Sequence, residues 1–101
     1  MHVISRKRLR QAAARRADLE EPLDAWFRRV KHAEWRIIAE LRRDFPHADA
    51  VGGCTVFNIK GNKYRLIAKI SYRRGRVYIK HVLAHAEYDK GDWKNECSPN
   101  N

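Results

Sequence analysis

Four side chains have the types that chemistry at a phosphate group needs: Arg65, Lys80, His85 and Tyr88. A guanidinium offers a planar fork of donors that fits phosphate oxygens and keeps its charge throughout a reaction. Lys80, on the neighbouring predicted strand, would add a second positive charge. Among five histidines, His85 stands out because it falls just past the last predicted strand, and imidazole titrates nearest neutrality. Tyr88, three residues on, carries a phenol that could act as acid or base, or stack on a flat aromatic ligand. Spacing alone leaves a plainer reading open, in which Arg65 and Lys80 are solvated strand residues and Tyr88 packs a short helix onto a sheet.

The charge balance narrows the choice of partner. Lys and Arg number 22 against 12 Asp and Glu, a formal net charge of +10 with a sequence pI near 10.1. A polyanion is the natural partner for such a surface. Because the cations sit inside periodic segments and form no tail, they decorate the fold itself. Lys60, Lys63, Lys69, Arg73, Arg74 and Arg76 read as charges that steer such a polyanion, which the resemblance given below makes RNA. Asn58 reads as a residue orienting substrate or tying down a hairpin, and Asn62 as a turn residue. His81 and His85 are four apart, but His81 falls in a strand and no clustered Cys or carboxylate pattern accompanies it, so no metal or other cofactor is expected. No apolar run approaches the ~18–20 residues of a membrane span, and the first residues are too short for a signal segment. A cytoplasmic protein is expected, with Cys54 and Cys97 as free thiols.

These residues need a scaffold, and the 101 residues suit one domain. Composition shifts once, near Pro46, from Ala, Arg, Glu and Leu to alternating β-branched and aromatic residues, so helices come first and sheet second. Val3 and Ile4 suggest a short opening strand. Ser5 reads as the cap of a helix running to about Arg16. Asp18 and Glu21 resemble a capping box with Pro22 in the first turn, and Leu23, Trp26, Phe27 and Val30 then fall at i, i+3, i+4 and i+7, the spacing of one buried face. Trp35, Ile38, Leu41 and Phe45 continue a helical stripe that Pro46 stops. Trp26, Phe27 and Trp35 read as core residues.

Strands are predicted over residues 51–60, 63–72 and 76–83, joined by turns at Gly61-Asn62 and Arg73-Arg74-Gly75. Tyr64, Leu66, Ala68, Ile70 and Tyr72 would share one face, with Arg65, Ile67, Lys69 and Ser71 on the other. Strict alternation puts Val77, Ile79, His81 and Leu83 opposite Arg76, Tyr78, Lys80 and Val82. A short helix or turn over His85 to Asp89 and a polar tail from Gly91 to Asn101 complete the chain. The expected fold is α+β: a helical part over about 5–45 packed on a curved antiparallel sheet of three to four strands over about 51–84, then the short helix and a mobile tail over 85–101.

The run Val56-Phe57-Asn58-Ile59-Lys60-Gly61-Asn62-Lys63-Tyr64-Arg65-Leu66-Ile67, followed by Val77-Tyr78-Ile79-Lys80 and His85-Ala86-Glu87-Tyr88-Asp89, resembles the conserved block of the HigB toxins, a family of RelE-like ribonuclease toxins. The likeness extends over Trp35 to Phe45, where the family has a Trp-led helix ending in a Phe-Pro pair. Ala84 departs from it, standing where the family commonly has Thr, a residue able to cap the short helix. The resemblance implies a RelE-like fold and the toxin half of a bacterial toxin–antitoxin pair that cleaves messenger RNA, usually on the translating ribosome. It also implies an antitoxin partner, HigA-like and carrying a helix-turn-helix, through which the pair reaches operator DNA.

Cleavage of this metal-free kind sets three tasks: taking the 2′ proton, stabilising charge on the nonbridging oxygens, and protonating the departing 5′ oxygen. The resemblance strengthens Arg65 and Lys80 for the phosphate and His85 with Tyr88 for the protons, leaving open which of the pair is base and which acid. Two other readings share the charge and the sheet aromatics Tyr72 and Tyr78: a noncatalytic nucleic-acid-binding module, and a ParE-like toxin directed at gyrase. The His85 and Tyr88 pair favours the nuclease, since a gyrase inhibitor needs no proton transfer.

Overall fold

The computed structural model describes residues 1–97. The chain runs β1 (His2–Ile4), α1 (Arg6–Arg15), a 3-10 turn (Ala17–Leu19), α2 (Glu20–His32) and α3 (Ile38–Asp44). The sheet strands follow as β2 (Asp49–Val51), β3 (Cys54–Ile59), β4 (Tyr64–Ser71) and β5 (Arg76–Ala84), and the chain closes with α4 (His85–Lys90) and a 3-10 segment over Asp92–Cys97. Three helices thus precede the strand run β2–β5, with β1 alone ahead of them, and the fold is α+β. The tail positions 98–101, expected to be mobile, lie outside the described residues.

One mixed sheet holds five strands in the order β1-β5-β4-β3-β2, against the three to four expected. The extra strand comes from Gly52, whose φ of +57° turns the chain between Val51 and Cys54. The apolar run thereby folds into a β2–β3 hairpin where one strand was predicted. β1 joins the other edge, parallel to β5. The β3–β4 turn uses positive φ at Lys60 and Gly61, one residue earlier than the expected Gly61-Asn62 pair.

The helices cover one face of the sheet. Leu23, Trp26 and Val30 of α2 are buried, as their spacing predicts, and meet Phe57, Leu66, Ala68, Val77 and Ile79 from the strands. Phe57 joins the layers: its ring lies edge-on to Trp26 at 5.4 Å and to Phe45 at 5.1 Å, geometries worth about 0.5–1.5 kcal/mol each beyond burial. Trp35 is buried but precedes α3, where its indole N–H donates to Asp44 Oδ2 at 2.9 Å. Ser5 makes no side-chain capping bond. Asp18 does not cap α2 either; it points to the sheet, with consequences for the candidate site.

Strict alternation fails in β5. Ile67 pairs with His81 while Ala68 pairs with Ile79, so Lys80 is an extra residue in a bulge. A bulge resets the phase of a strand. Val82 and Ala84 therefore pack on the helix side with Val77 and Ile79, and Leu83 lies on the opposite side, contrary to the unbroken pattern read from the sequence.

That opposite side has a small core of its own. Cys54, Val56 and Ile67 of the sheet are buried with Trp93 and Cys97 of the final 3-10 segment, which we call the strap. Cys54 and Cys97 form a disulfide with Cα atoms 5.1 Å apart, within the usual range, which corrects the expectation of free thiols. That expectation treated the tail as loose, whereas burial of Trp93 seats the strap on the sheet and delivers Cys97 to the start of β3. Gly52 is required here: a Cβ on it would collide with the Cys97 carbonyl, and the Gly53 N–H donates to the same oxygen.

The disulfide spans 43 residues, for which chain-entropy reasoning gives up to about 4 kcal/mol. Cys97→Ser, or reduction of the wild type, is expected to lower the urea midpoint accordingly. Superimposable oxidised and reduced unfolding curves would show that the bond contributes nothing to stability.

Candidate active site

Three of the four principal candidates converge at one end of the sheet. Arg65 lies on β4 between Asn58 of β3 and Leu83 of β5. One terminal nitrogen, Nη1, donates to the backbone carbonyls of Asn62 at 2.9 Å and Tyr64 at 3.1 Å. With five N–H donors on the group, this fixes the fork and leaves its Nε–Nη2 edge as the side able to meet a phosphate. The guanidinium carbon stands 5.3 Å from the centre of the Tyr88 ring, a cation–π distance.

Tyr88 is itself held from below. Its ring stacks on Trp93 at 4.9 Å and an interplanar angle of 15°, and the Trp93 indole N–H donates to the Tyr88 carbonyl at 2.9 Å. The strap therefore positions Tyr88, and the ring is already engaged by Trp93 and Arg65. This weighs against stacking on an RNA base.

His85 opens α4, one helical turn before Tyr88, so the two share a face. Its backbone N–H donates to the Lys63 carbonyl at 3.2 Å, tying α4 to the turn that also receives Arg65. Its Nδ1 lies 2.9 Å from Asp89 Oδ2. The contact is at charge-pair distance without a hydrogen bond, and it engages one ring nitrogen, leaving Nε2 as the candidate for proton exchange. Asp89 was not singled out from sequence, although His85 and Asp89 at i, i+4 in a short helical stretch carried the signal. Trp93 was missed because it sits in a polar tail. The cap expected to be weak at Ala84 is half made: Glu87 Oε1 accepts from the Ala84 N–H at 3.1 Å, and Ala84 has no side-chain oxygen to return the bond.

Lys80 is not gathered with these residues. As the bulged residue it lies at the outer edge of β5, where Arg8 Nη1 of α1 donates to its carbonyl at 2.7 Å, and it lines a groove against α1. The steering residues also divide. Asn58 stays beside Arg65 and its amide donates to Asn62 Oδ1 at 3.4 Å. Arg73, Arg74 and Arg76 cluster at the opposite sheet end, roughly 25 Å along the strand at ~3.3 Å per residue. There hydrogen bonds from Arg76, and then Arg74, lower the Tyr78 phenol pKa. Lys69 lies midway, opposite Tyr78. His81, on the same sheet face as Leu83, has Nε2 3.1 Å from Glu96 Oε2 of the strap, close enough to pair in charge but off the line of a hydrogen bond.

Lys60 and Lys63 are internally paired. Both donate to Asp18 Oδ2, at 3.1 and 2.8 Å, and the Tyr64 hydroxyl reaches the same carboxylate at 2.9 Å. This clamp holds the β3–β4 turn, and with it the backbone that fixes Arg65 and His85, against the helical layer.

Residues 19–91 match the family model described as HigB_toxin, RelE-like toxic component of a toxin-antitoxin system. The chain belongs to the HigB toxin family. It is 31% identical over 93 residues to the mRNA interferase HigB of Escherichia coli O6:H1 strain CFT073, covering 89% of this chain and 90% of that protein. It is 29% identical over 92 residues, 88% of each chain, to the mRNA interferase toxin HigB of Escherichia coli K12 and to the mRNA interferase HigB of Shigella flexneri. The HigB family match takes in Arg65, Lys80, His85, Tyr88 and Asp89 and stops before Trp93 and Cys97, so the strap lies beyond the part that the family model describes.

The clamp gives a pH test. Hydrogen bonding from Lys63, Tyr64 and Lys60 holds the Asp18 carboxyl well below the usual carboxylate range. A depressed folded-state pKa contributes stability above the unfolded value of about 3.9, lost as pH falls through the folded value. Asp18→Asn is expected to lower the urea midpoint at neutral pH, with the gap to wild type closing in strong acid. A gap that stays constant across that range would mean that the carboxylate charge is not what holds the turn.

Proposed function

We propose that this chain is an mRNA interferase, an endoribonuclease toxin that cuts messenger RNA on the translating ribosome and so inhibits translation. The observation that carries the reading is the convergence of Arg65, Tyr88 and the His85–Asp89 pair at one sheet end, in a chain of a toxin family whose relatives are mRNA interferases. In the proposed step the substrate's 2′ oxygen bonds to the adjacent phosphorus as the bond from phosphorus to the 5′ oxygen breaks. The 2′ proton passes to a base on the protein and the 5′ oxygen receives a proton from an acid. The products are a 2′,3′-cyclic phosphate and a free 5′-hydroxyl. Arg65 takes the nonbridging oxygens, and His85 and Tyr88 divide the two proton transfers.

Asp89 acts through His85 and is a positioning residue. Lys80, set apart at the β5 edge, fits a role in holding the strand better than one at the reacting phosphorus. Asn58, Lys69, Arg73, Arg74 and Arg76 supply steering charge and polar contact, each cation adding ~0.7 to the salt slope for single-stranded RNA. Lys60 and Lys63 steer only from within the Asp18 clamp. In this reading the protein works in the cytoplasm and is silenced by a HigA-like helix-turn-helix antitoxin, whose acidic segment covers the basic sheet face or the helices. Operator DNA is reached only through that complex.

Primer extension on messenger RNA after expression of the chain tests the reading. Discrete cleavages inside translated frames are expected for wild type. Arg65→Ala should cost about 2.7–4 kcal/mol in rate, the value of a lost transition-state donor, and His85→Ala about 10²–10⁴-fold. Asp89→Asn should slow cleavage while leaving the KM for RNA unchanged. Growth arrest with intact messages would sink the nuclease reading, whereas cleavage surviving both alanine variants would keep the function and refute this site.

A further inference from the structure

Around the edge of β5 from the candidate site lies a second feature. β1 pairs with β5 only as far as Tyr78, and beyond that point α1 flanks the open edge. Between them is a groove of about 240 Å³ lined by Arg8, Gln11, Arg15, Arg16, Lys80 and Glu87, among others. Four of these side chains are cations and one is an acid. Glu87 is already committed, since its Oε1 accepts from Arg16 at 3.2 Å and from the Ala84 N–H at 3.1 Å. Arg8 is anchored through the Lys80 carbonyl, and Arg15 has no acidic partner among the described residues.

We propose that this groove is a phosphate-binding subsite that takes the backbone of the single-stranded RNA running on from the candidate active site. Three observations join the two places. Leu83, the cross-strand neighbour of Arg65, also lines the groove. Glu87, on the groove wall, sits on α4 between His85 and Tyr88. The Lys80 bulge places an extra backbone unit and a cation at the sheet edge. Guanidinium groups meet phosphates through paired donors, and a wall with several Arg side chains and spare N–H groups suits consecutive phosphates. A peptide strand adding to the open edge fits less well, because Arg8 already takes the Lys80 carbonyl and α1 flanks the edge. The proposal rests on the nuclease reading for its ligand class, but its test does not require cleavage.

The test measures binding of a fully 2′-O-methylated RNA of about a dozen nucleotides, which the proposed chemistry cannot cut, by fluorescence anisotropy across a salt series. Arg15 is exposed in the last turn of α1, so its replacement leaves no buried gap. Arg15→Gln is expected to weaken binding roughly fourfold near physiological salt and to lower the slope by about 0.7. Arg15→Glu should weaken it further. Arg42→Gln on α3, outside the groove, is the control for net charge and should change both quantities far less. Equal losses in Arg15→Gln and Arg42→Gln, or no loss in either, would overturn the subsite. Arg15-dependent binding of inorganic phosphate together with unchanged RNA affinity in Arg15→Gln would also overturn it, assigning the groove to a free oxyanion. RNA cleaved normally but bound alike by both variants would leave the nuclease standing without the subsite. Groove-dependent binding with no cleavage of ordinary messages would do the reverse.

Discussion

Ile67 is fully buried on the face of the sheet that carries no helical layer, and that burial is the constraint on which the site depends. A sheet can leave one face in water when that face is polar, but Val56, Ile67 and Leu83 make this one apolar at its centre. The strap over Asp92–Cys97 covers it, with Trp93 as the main contact and the Cys54–Cys97 bond as the fastening. Because Trp93 also stacks on Tyr88, the device that buries Ile67 sets α4 beside Arg65. The site is thus assembled where the covered centre of the face gives way to its polar end.

Charge is organised around the same end. A net charge of +10 would splay loose cationic loops, yet the basic turn over residues 60–63 is drawn inward by Asp18, and Arg16 is drawn to Glu87. These acids neutralise little of the total. They fix where the remaining charge sits, with the Nε–Nη2 edge of Arg65 and the groove by α1 left positive. A bulge at Lys80 separates these two regions, turning one strand into a boundary between the proposed reaction centre and a proposed RNA-holding surface.

Much of this was legible in the sequence. The i, i+3, i+4, i+7 stripe of α2, the alternation of β4 and the switch from helices to sheet near Pro46 are local patterns, and local patterns survive translation into structure. The bulge was not legible, since an extra residue in β5 leaves the alternation of types nearly intact while reversing which side chains are inside. The strap was missed for a related reason: Trp93 and Cys97 are two buried residues among polar neighbours, too sparse to show a period. Asp18 looked like a helix cap because the capping pattern is short, and only tertiary contact with Lys60, Lys63 and Tyr64 decides otherwise. Within the candidate site, Arg65, His85 and Tyr88 could be named from type and resemblance, whereas Asp89 and Trp93, which hold them, emerged only from distance.

The central claim is a chemistry, proton transfer at His85 and Tyr88 driving attack by a 2′-hydroxyl, and it leaves a mark on the products. The most direct measurement is therefore the end structure of message fragments cut by the purified protein on programmed ribosomes. The account predicts 5′ ends that polynucleotide kinase labels without prior phosphatase treatment, and 3′ ends that block ligation until the cyclic phosphate is opened and removed. Fragments bearing 5′-phosphates and free 3′-hydroxyls would contradict it, because that outcome requires an external water as nucleophile and a different set of working residues.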